Sequence, residues 1–299
     1  MGLHELFFNP WLWTVLGGGV LFVLAVYLYA AKVETRKFRL EHVPTINVPA
    51  TADGAGRQLK VLHLSDLHLC APESHKLNFL KQLSADDYDM VVVTGDIFEN
   101  ESGLQYARQI VAGKPRLGAY AVLGNHDYYA YTWLNKTWGR LDRRYRHPKE
   151  KRDVQPFIDA LTEAGITTLR NEALLIEEAN LHLIGIDYPG TTKEKVLELA
   201  KAAPGNALVI ALLHLPRRLQ SLVDAGIHVA FAGHTHGGQI RVPGIGALIT
   251  DSELPRQEAS GLVRRGETVI HVSRGLSADP KSNFRLFCPP AATIIRIDY

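Results

Sequence analysis

The sequence predicts a sheet-rich α/β domain with helices on its outside, led by one apolar helix long enough to cross a bilayer. Three observations predict it. Short β-rich runs alternate with helix-like stretches from Leu59 to the end of the 299-residue chain. Residues 11–31 carry no charged side chain. A hydrophobic content of 46% against 21% charged residues gives a globular protein with ample core.

The apolar helix comes first. WLWTVLGGGVLFVLAVYLYAA, at about 1.5 Å per residue, spans roughly 30 Å, the thickness of the hydrocarbon layer. Trp11 and Trp13 stand near one end, Tyr27 and Tyr29 near the other, as interfacial aromatics do. A cleaved signal peptide would need a basic leader, and residues 1–10 contain no Lys or Arg, so an uncleaved anchor over 1–31 is expected. Lys32, Arg36, Lys37 and Arg39 follow the span, which by the positive-inside rule puts the remainder in the cytoplasm, on an inner membrane crossed once.

Residues 32–58 read as a linker, with Pro44, Pro49, Gly54 and Gly56 breaking any period. From 59 to 299 extends one catalytic domain. Its strands are expected at LKVLHLS, DMVVVTG, GAYAVLG, LHLIGID, ALVIALLH, HVAFAGH, TVIHVSR and ATIIRID, and its helices at 75–84, 102–112, 154–164 and 193–202. An insert at 128–153 is aromatic and basic together. Leu134, Trp138, Leu141 and Tyr145 share one helical face, with Lys136, Arg140, Arg143 and Arg144 on the others, between a Thr132 cap and a Pro148 stop. Such a helix packs its stripe on the domain, serves as a lid or a contact with an anionic membrane surface, or, as the least favoured reading, binds nucleic acid.

A net charge of +2 lacks the broad basic footprint of a nucleic-acid binder. Cys70 and Cys288 form neither a disulfide framework nor a CxxC zinc pair. The chemistry lies elsewhere. Asp66 and His68 follow the first strand, Asp96 the second and Asn125 the third; His214 follows ALL, and His234 and His236 follow FAG. All are oxygen or imidazole donors at strand carboxyl ends, where open α/β sheets bind ligands. That set suits a pair of divalent ions such as Mn, Fe or Zn. If strand alternation persists, Asp66 and His68 project together, as do His234 and His236. Gly95, Gly124 and Gly233 precede three of these groups and permit close backbone approach. Asp96 has two oxygens to offer two ions. Two divalent ions carry four positive charges; Asp66, Asp96 and a bridging hydroxide remove three, so the site keeps a positive excess that favours a phosphoryl anion.

The order D-x-H, G-D, G-N-H-D, H, G-H-T-H resembles the calcineurin-like metallophosphoesterases over residues 59–299. The resemblance implies a four-layer α/β/β/α sandwich and a dinuclear hydrolytic site. Asp66, His68 and His236 would hold one ion, Asn125, His214 and His234 the other, with Asp96 between them. His126 matches the family's catalytic histidine, and Asp127 is expected to orient its ring. The chain departs from the protein phosphatases of the family, having GDIFENE and, at Leu123, no arginine before GNHD. Arg217 and Arg218 remain as positive charge after His214, with Arg274 and Arg285 as weaker candidates.

The apolar anchor, GHTHGGQ and SRGL are similar to a membrane-associated, phosphodiesterase-like bacterial branch, some of whose members cleave UDP-2,3-diacylglucosamine. This implies a membrane-anchored hydrolase of a phosphodiester or pyrophosphate bond in a phosphate-containing, lipid-linked substrate. An extracytoplasmic cell-envelope phosphoesterase is the alternative under reversed topology, and a non-catalytic metal-binding scaffold the alternative in which no turnover occurs.

Overall fold

The strands that read as unbroken apolar runs are buried on both faces, and the alternation of their side chains builds two interiors at once. A computed structural model describes residues 10–49, 56–83, 88–132, 151–250, 252–279 and 282–299. The first sheet contains β1 (Arg39–His42), β2 (Ile46–Asn47), β3 (Gln58–Leu64), β4 (Met90–Thr94), β5 (Ala119–Val122), β6 (Ile166–Thr168) and the final strand of the chain, Ala291–Asp298. Its order is β1, the final strand, β3, β4, β5, β6, with β2 also beside the final strand. From β3 to β6 all neighbours are parallel.

The second sheet contains β7 (Glu172–Ile176), β8 (Leu181–Ile186), β9 (Leu208–Leu213), β10 (Val229–Ala232), β13 (Gly261–Arg265) and β14 (Thr268–Val272), while β11 (Arg241–Val242) and β12 (Gly246–Ala247) form a small separate hairpin. Ala291–Asp298 is accordingly β15. The order is β13, β14, β10, β9, β8, β7, parallel at the centre and antiparallel at both edges.

Leu59, Val61, Met90 and Val92 from one sheet meet Leu208, Ile210, Val229 and Phe231 from the other in a shared interior. The intervening residues, Leu62, Leu64, Val91 and Val93, point the opposite way, against helical elements on the outer face. Those outer elements are the helix His75–Gln82, the 3₁₀ segment Glu101–Gln109 and the helix Gln155–Glu163. On the far side, Val209, Ala211 and Ala230 pack with Val196, Leu199 and Leu222 of helices Lys193–Lys201 and Leu219–Asp224. The result is the four-layer α/β/β/α sandwich.

Ahead of it runs α1, Pro10–Leu28, an α-helix continued by a wider turn at Tyr29–Val33 and a 3₁₀ turn at Glu34–Arg36. Trp11, Val15, Val20, Leu21, Phe22 and Val23 are all largely exposed along it, as a span facing hydrocarbon requires. Ala30, Ala31 and Glu34 are buried where the helix meets the domain. Segment 32–58, read as a linker, is partly structural. Ile46 and Val48 are buried between Pro44 and Pro49, and β1 and β2 both pair along β15. The stripe Leu134, Trp138, Leu141, Tyr145, its basic residues and Pro148 lie outside the described residues.

Candidate metal centre

Both sheets point the carboxyl ends of their central parallel strands to one edge. β3 delivers Asp66 and His68, β4 delivers Asp96, and β5 delivers Asn125 and His126 at the start of a single helical turn, Asn125–Tyr128. From the facing sheet, β9 delivers His214, and β10 delivers His234 and His236. All seven candidate ligands come together. Donor atoms of Asp66, His68, Asp96 and His236 lie within 4.8 Å of one another, as do those of Asp96, His214 and His234. Asn125 joins the second group, its Oδ1 3.0 Å from both His214 Nε2 and His234 Nδ1.

Strand alternation is not what aligns these residues. β3 ends at Leu64, and Asp66, His68, Asp96, His234 and His236 all have positive φ, between 43° and 71°. A left-handed backbone at a non-glycine residue costs on the order of 1 kcal/mol or more. The cost arises because each loop must reverse within one or two residues to face the opposite sheet. Close approach sets the glycines too. A Cβ on Gly124 would collide with the Asp96 carboxylate and backbone, and one on Gly233 would collide with Ser65 Oγ.

The hydrogen bonds around the imidazoles decide which nitrogen each presents. His214 Nδ1 donates to Thr94 O (2.7 Å), His236 Nδ1 to Ser277 O (2.8 Å) and His68 Nδ1 to Glu99 Oε2 (3.0 Å). Each therefore turns an Nε2 lone pair to the cluster, the arrangement that outer carbonyls and carboxylates impose on metal-bound imidazoles. His68 Nε2 is fully buried without a hydrogen-bond partner. A divalent cation would satisfy it. His214 Nε2 and His234 Nδ1 are 3.3 Å apart, close to the about 3.4 Å edge of a tetrahedron with zinc–nitrogen bonds near 2.1 Å.

Asp96 stands between the two groups. Its Oδ2 is 3.7 Å from His68 Nε2 and its Oδ1 3.4 Å from His214 Nε2. Burial alone would raise its pKa, but the surrounding imidazoles of His214, His126 and His68 outweigh burial and hold it well below the carboxylate range. His214 responds in kind. Burial opposes its protonation, yet Asp96 prevails and lifts it to about 9. His236, where burial dominates, falls to about 4.

Glu99 is the functional residue the sequence reading passed over. Its Oε2 accepts from both His68 Nδ1 and His126 Nδ1, the latter at 2.9 Å. Burial pushes this carboxyl up, but the hydrogen bonds from the two histidines win and hold it far below its ordinary range. In the sequence it is one more loop carboxylate, three residues after Asp96 in GDIFENE. Asp127, expected to orient His126, does something else. It accepts from the amides of Ile97 and Phe98 at 2.9 Å and Gly124 at 2.8 Å, tying the β4 and β5 loops together. The helical turn carries its side chain away from the His126 ring. Burial and repulsion from Asp96 push its carboxyl up to about 7.

The arginine candidates separate cleanly. Arg285 is fully buried and donates to the carbonyls of His236, Arg274, Gly275, Ser277 and Cys288, so it braces the loops. Arg274 pairs with Glu41 at 2.9 Å. Arg217 and Arg218 are exposed and line a cavity of about 310 Å³ with His214, Tyr188, Thr191 and Ser221. Leu123 is fully buried in the outer core.

The chain is similar to known proteins. A family model described as calcineurin-like phosphoesterase matches residues 59–238. An uncharacterized metallophosphoesterase of Bacillus subtilis, YkoQ, is 29% identical over 96% of this chain and 100% of its own length. Phosphodiesterase YaeI of Escherichia coli is 27% identical, over 80% of this chain and 82% of that protein. The UDP-2,3-diacylglucosamine pyrophosphatase LpxG of Chlamydia muridarum is also 27% identical, over 81% and 84%.

Proposed function

The chain belongs to the calcineurin-like phosphoesterase family, a metal-dependent hydrolase of phosphoesters, and from that premise we propose that it is a membrane-anchored enzyme cleaving a phosphodiester or pyrophosphate bond of a lipid-linked substrate. The single observation that carries the hydrolytic part is Asp96, with one oxygen toward each of two histidine groups. In this reading Asp66, His68 and His236 would hold one divalent ion and Asn125, His214 and His234 the other, with Asp96 available to both. Ions held there would polarise the phosphoryl oxygens and make hydroxide accessible near neutral pH.

The protein's own groups do the rest. Seven candidate ligands from five strand ends define the edge at which the reacting phosphoryl group would sit. His126 supplies a proton to the departing oxygen. Glu99, an anion on His126 Nδ1, favours the doubly protonated ring that can donate from Nε2. Arg217 and Arg218, beside His214, offer positive charge to the group beyond the scissile bond. The lack of an arginine at Leu123 weighs against grip on a phosphomonoester dianion.

Support for the anchor is α1, long and apolar enough to cross a membrane, with Lys32, Arg36, Lys37 and Arg39 exposed after it. The positive-inside rule then favours a cytoplasmic domain on an inner membrane. The names of YaeI and LpxG support a diester or pyrophosphate substrate. Full-length protein loaded with Mn and assayed in parallel on a phosphomonoester, a soluble phosphodiester and UDP-2,3-diacylglucosamine tests the substrate class. Turnover of the diester or the pyrophosphate above the monoester is expected; turnover of the monoester alone would reject it.

A further inference from the structure

The hairpin that follows the last candidate ligand carries apolar side chains that the domain leaves partly exposed. Ile245, Leu248 and Ile249 are 54%, 40% and 54% exposed, and Phe287 beside them is 61% exposed. Ile245 and Phe287 flank one shallow cleft with Val242 and Pro243. These are among the few large apolar groups so exposed outside α1 among the described residues.

The patch adjoins the point where α1 meets the domain. Arg241 N donates to Leu286 O, and Leu286 N to Gln239 O, both at 2.9 Å, which fastens the hairpin to segment 285–288. The same segment is fastened to the helix exit. Arg285 N donates to Ala30 O at 3.0 Å, and Cys288 N to the buried Glu34 carboxylate. Phe287 lies between those two attachments. Its backbone has a φ of 54°, a strained conformation for a bulky residue, and the strain turns an aromatic ring outward into solvent. Around the same exit Lys32, Arg36, Lys37 and Arg39 are exposed, which complements anionic lipid head groups.

We propose that the hairpin tip, residues 243–249, together with Phe287 enters the head-group layer of the leaflet from which α1 emerges. The anchor fixes the bilayer beside the patch, and exposed apolar groups with basic ones at the neighbouring helix exit match that layer. Arg241 follows His236 by only five residues, so insertion of the hairpin holds the metal centre at head-group height. The surface therefore selects phosphate esters that remain in the membrane. This inference rests on the anchored reading of α1.

The test uses the full chain in vesicles of phosphatidylethanolamine and phosphatidylglycerol, doped with phosphatidylcholine brominated along its acyl chains. An environment-sensitive fluorophore is attached at Ile245→Cys or Phe287→Cys in a Cys70→Ser background, with Lys201→Cys as the control on the opposite layer. Quenching by brominated lipid at 245 and 287, and none at 201, is expected. Labels at 245 and 287 that stay unquenched while the protein remains in the vesicles would overturn the proposal; shielding from aqueous iodide in that case would assign the patch to a protein contact. The quenching needs no turnover, so it stands apart from the hydrolytic reading, and alkaline extraction of the vesicles reports on the anchor separately. A second variant, Ile245→Glu with Ile249→Glu, is expected to raise KM for UDP-2,3-diacylglucosamine in vesicles by about tenfold, with kcat/KM for soluble bis(p-nitrophenyl) phosphate unchanged. An equal change on both substrates would contradict a membrane role.

Discussion

Asp96, Glu99 and Asp127 are three carboxyl groups within a few ångströms of the same histidines, and their surroundings give them separate work. Asp96 is surrounded by imidazoles and stays ionised. Glu99 bonds two ring nitrogens that must point outward. Asp127 accepts three backbone amides and carries the loops. Asp96→Asn keeps the shape but halves the bridging capacity, so metal content measured by elemental analysis should fall by at least one ion per chain, with activity lost; unchanged metal content would refute the bridge. Glu99→Gln should lower kcat by roughly 10- to 100-fold while most metal is retained, and its effect should be largest where the leaving group most needs a proton. His126→Ala should cost roughly 100- to 10,000-fold in kcat on a poor leaving group and far less on p-nitrophenolate. Equal losses on both would remove His126 from proton transfer. Asp66, His68, Asp96, Asn125, His214, His234 and His236 could be picked out as candidates from residue type and motif order, and the fold brings them together. Glu99 could not, because a carboxylate in a loop is usually a surface or capping group, and only the fold shows it reaching two rings.

Strands β3, β4, β9 and β10 were legible because each is an apolar run ending at a glycine or a polar donor, while the edges β6, β7 and β13 lack that signature. Their residues are only half-buried, so period and burial say less. β1 and β2 were hidden among prolines. What alternation does reveal is a polar element between the sheets, just below the site. His63 on β3 and His271 on β14 meet at 2.7 Å between their Nδ1 atoms, and His63 Nε2 lies 2.8 Å from Thr94 Oγ1. Burial, with a smaller contribution from Arg274, lowers His271 from 6.5 to about 3, and burial followed by His271 lowers His63 as well. The folded state therefore binds fewer protons than the unfolded one. Stability from this pair is full above the unfolded value near 6.5 and is lost as pH falls toward the folded value. Tm should drop between about pH 7 and about pH 5, and His271→Asn, which keeps a hydrogen-bonding group there, should flatten that slope. An unchanged slope would show that the acid sensitivity resides elsewhere.

The molecule as a whole joins an apolar span to a sandwich whose reactive edge is braced by the same segment that meets the span. Arg285 links the carbonyl of His236 to the segment 285–288, and Ala30 and Glu34 hold that segment from the other side. No sequence pattern announces this connection, since a basic residue between Asn283 and Cys288 reads as surface. Arg285→Met is expected to lower Tm by several degrees and to weaken metal retention, because five carbonyls lose their donor at once; a stable variant with normal metal content would deny the brace. Anomalous diffraction from Mn-loaded crystals of the full chain puts the dinuclear reading to its hardest trial. Two peaks are expected, one among Asp66, His68 and His236 and one among Asn125, His214 and His234, with an Asp96 oxygen turned to each. A single peak, or peaks away from Asp96, would contradict it.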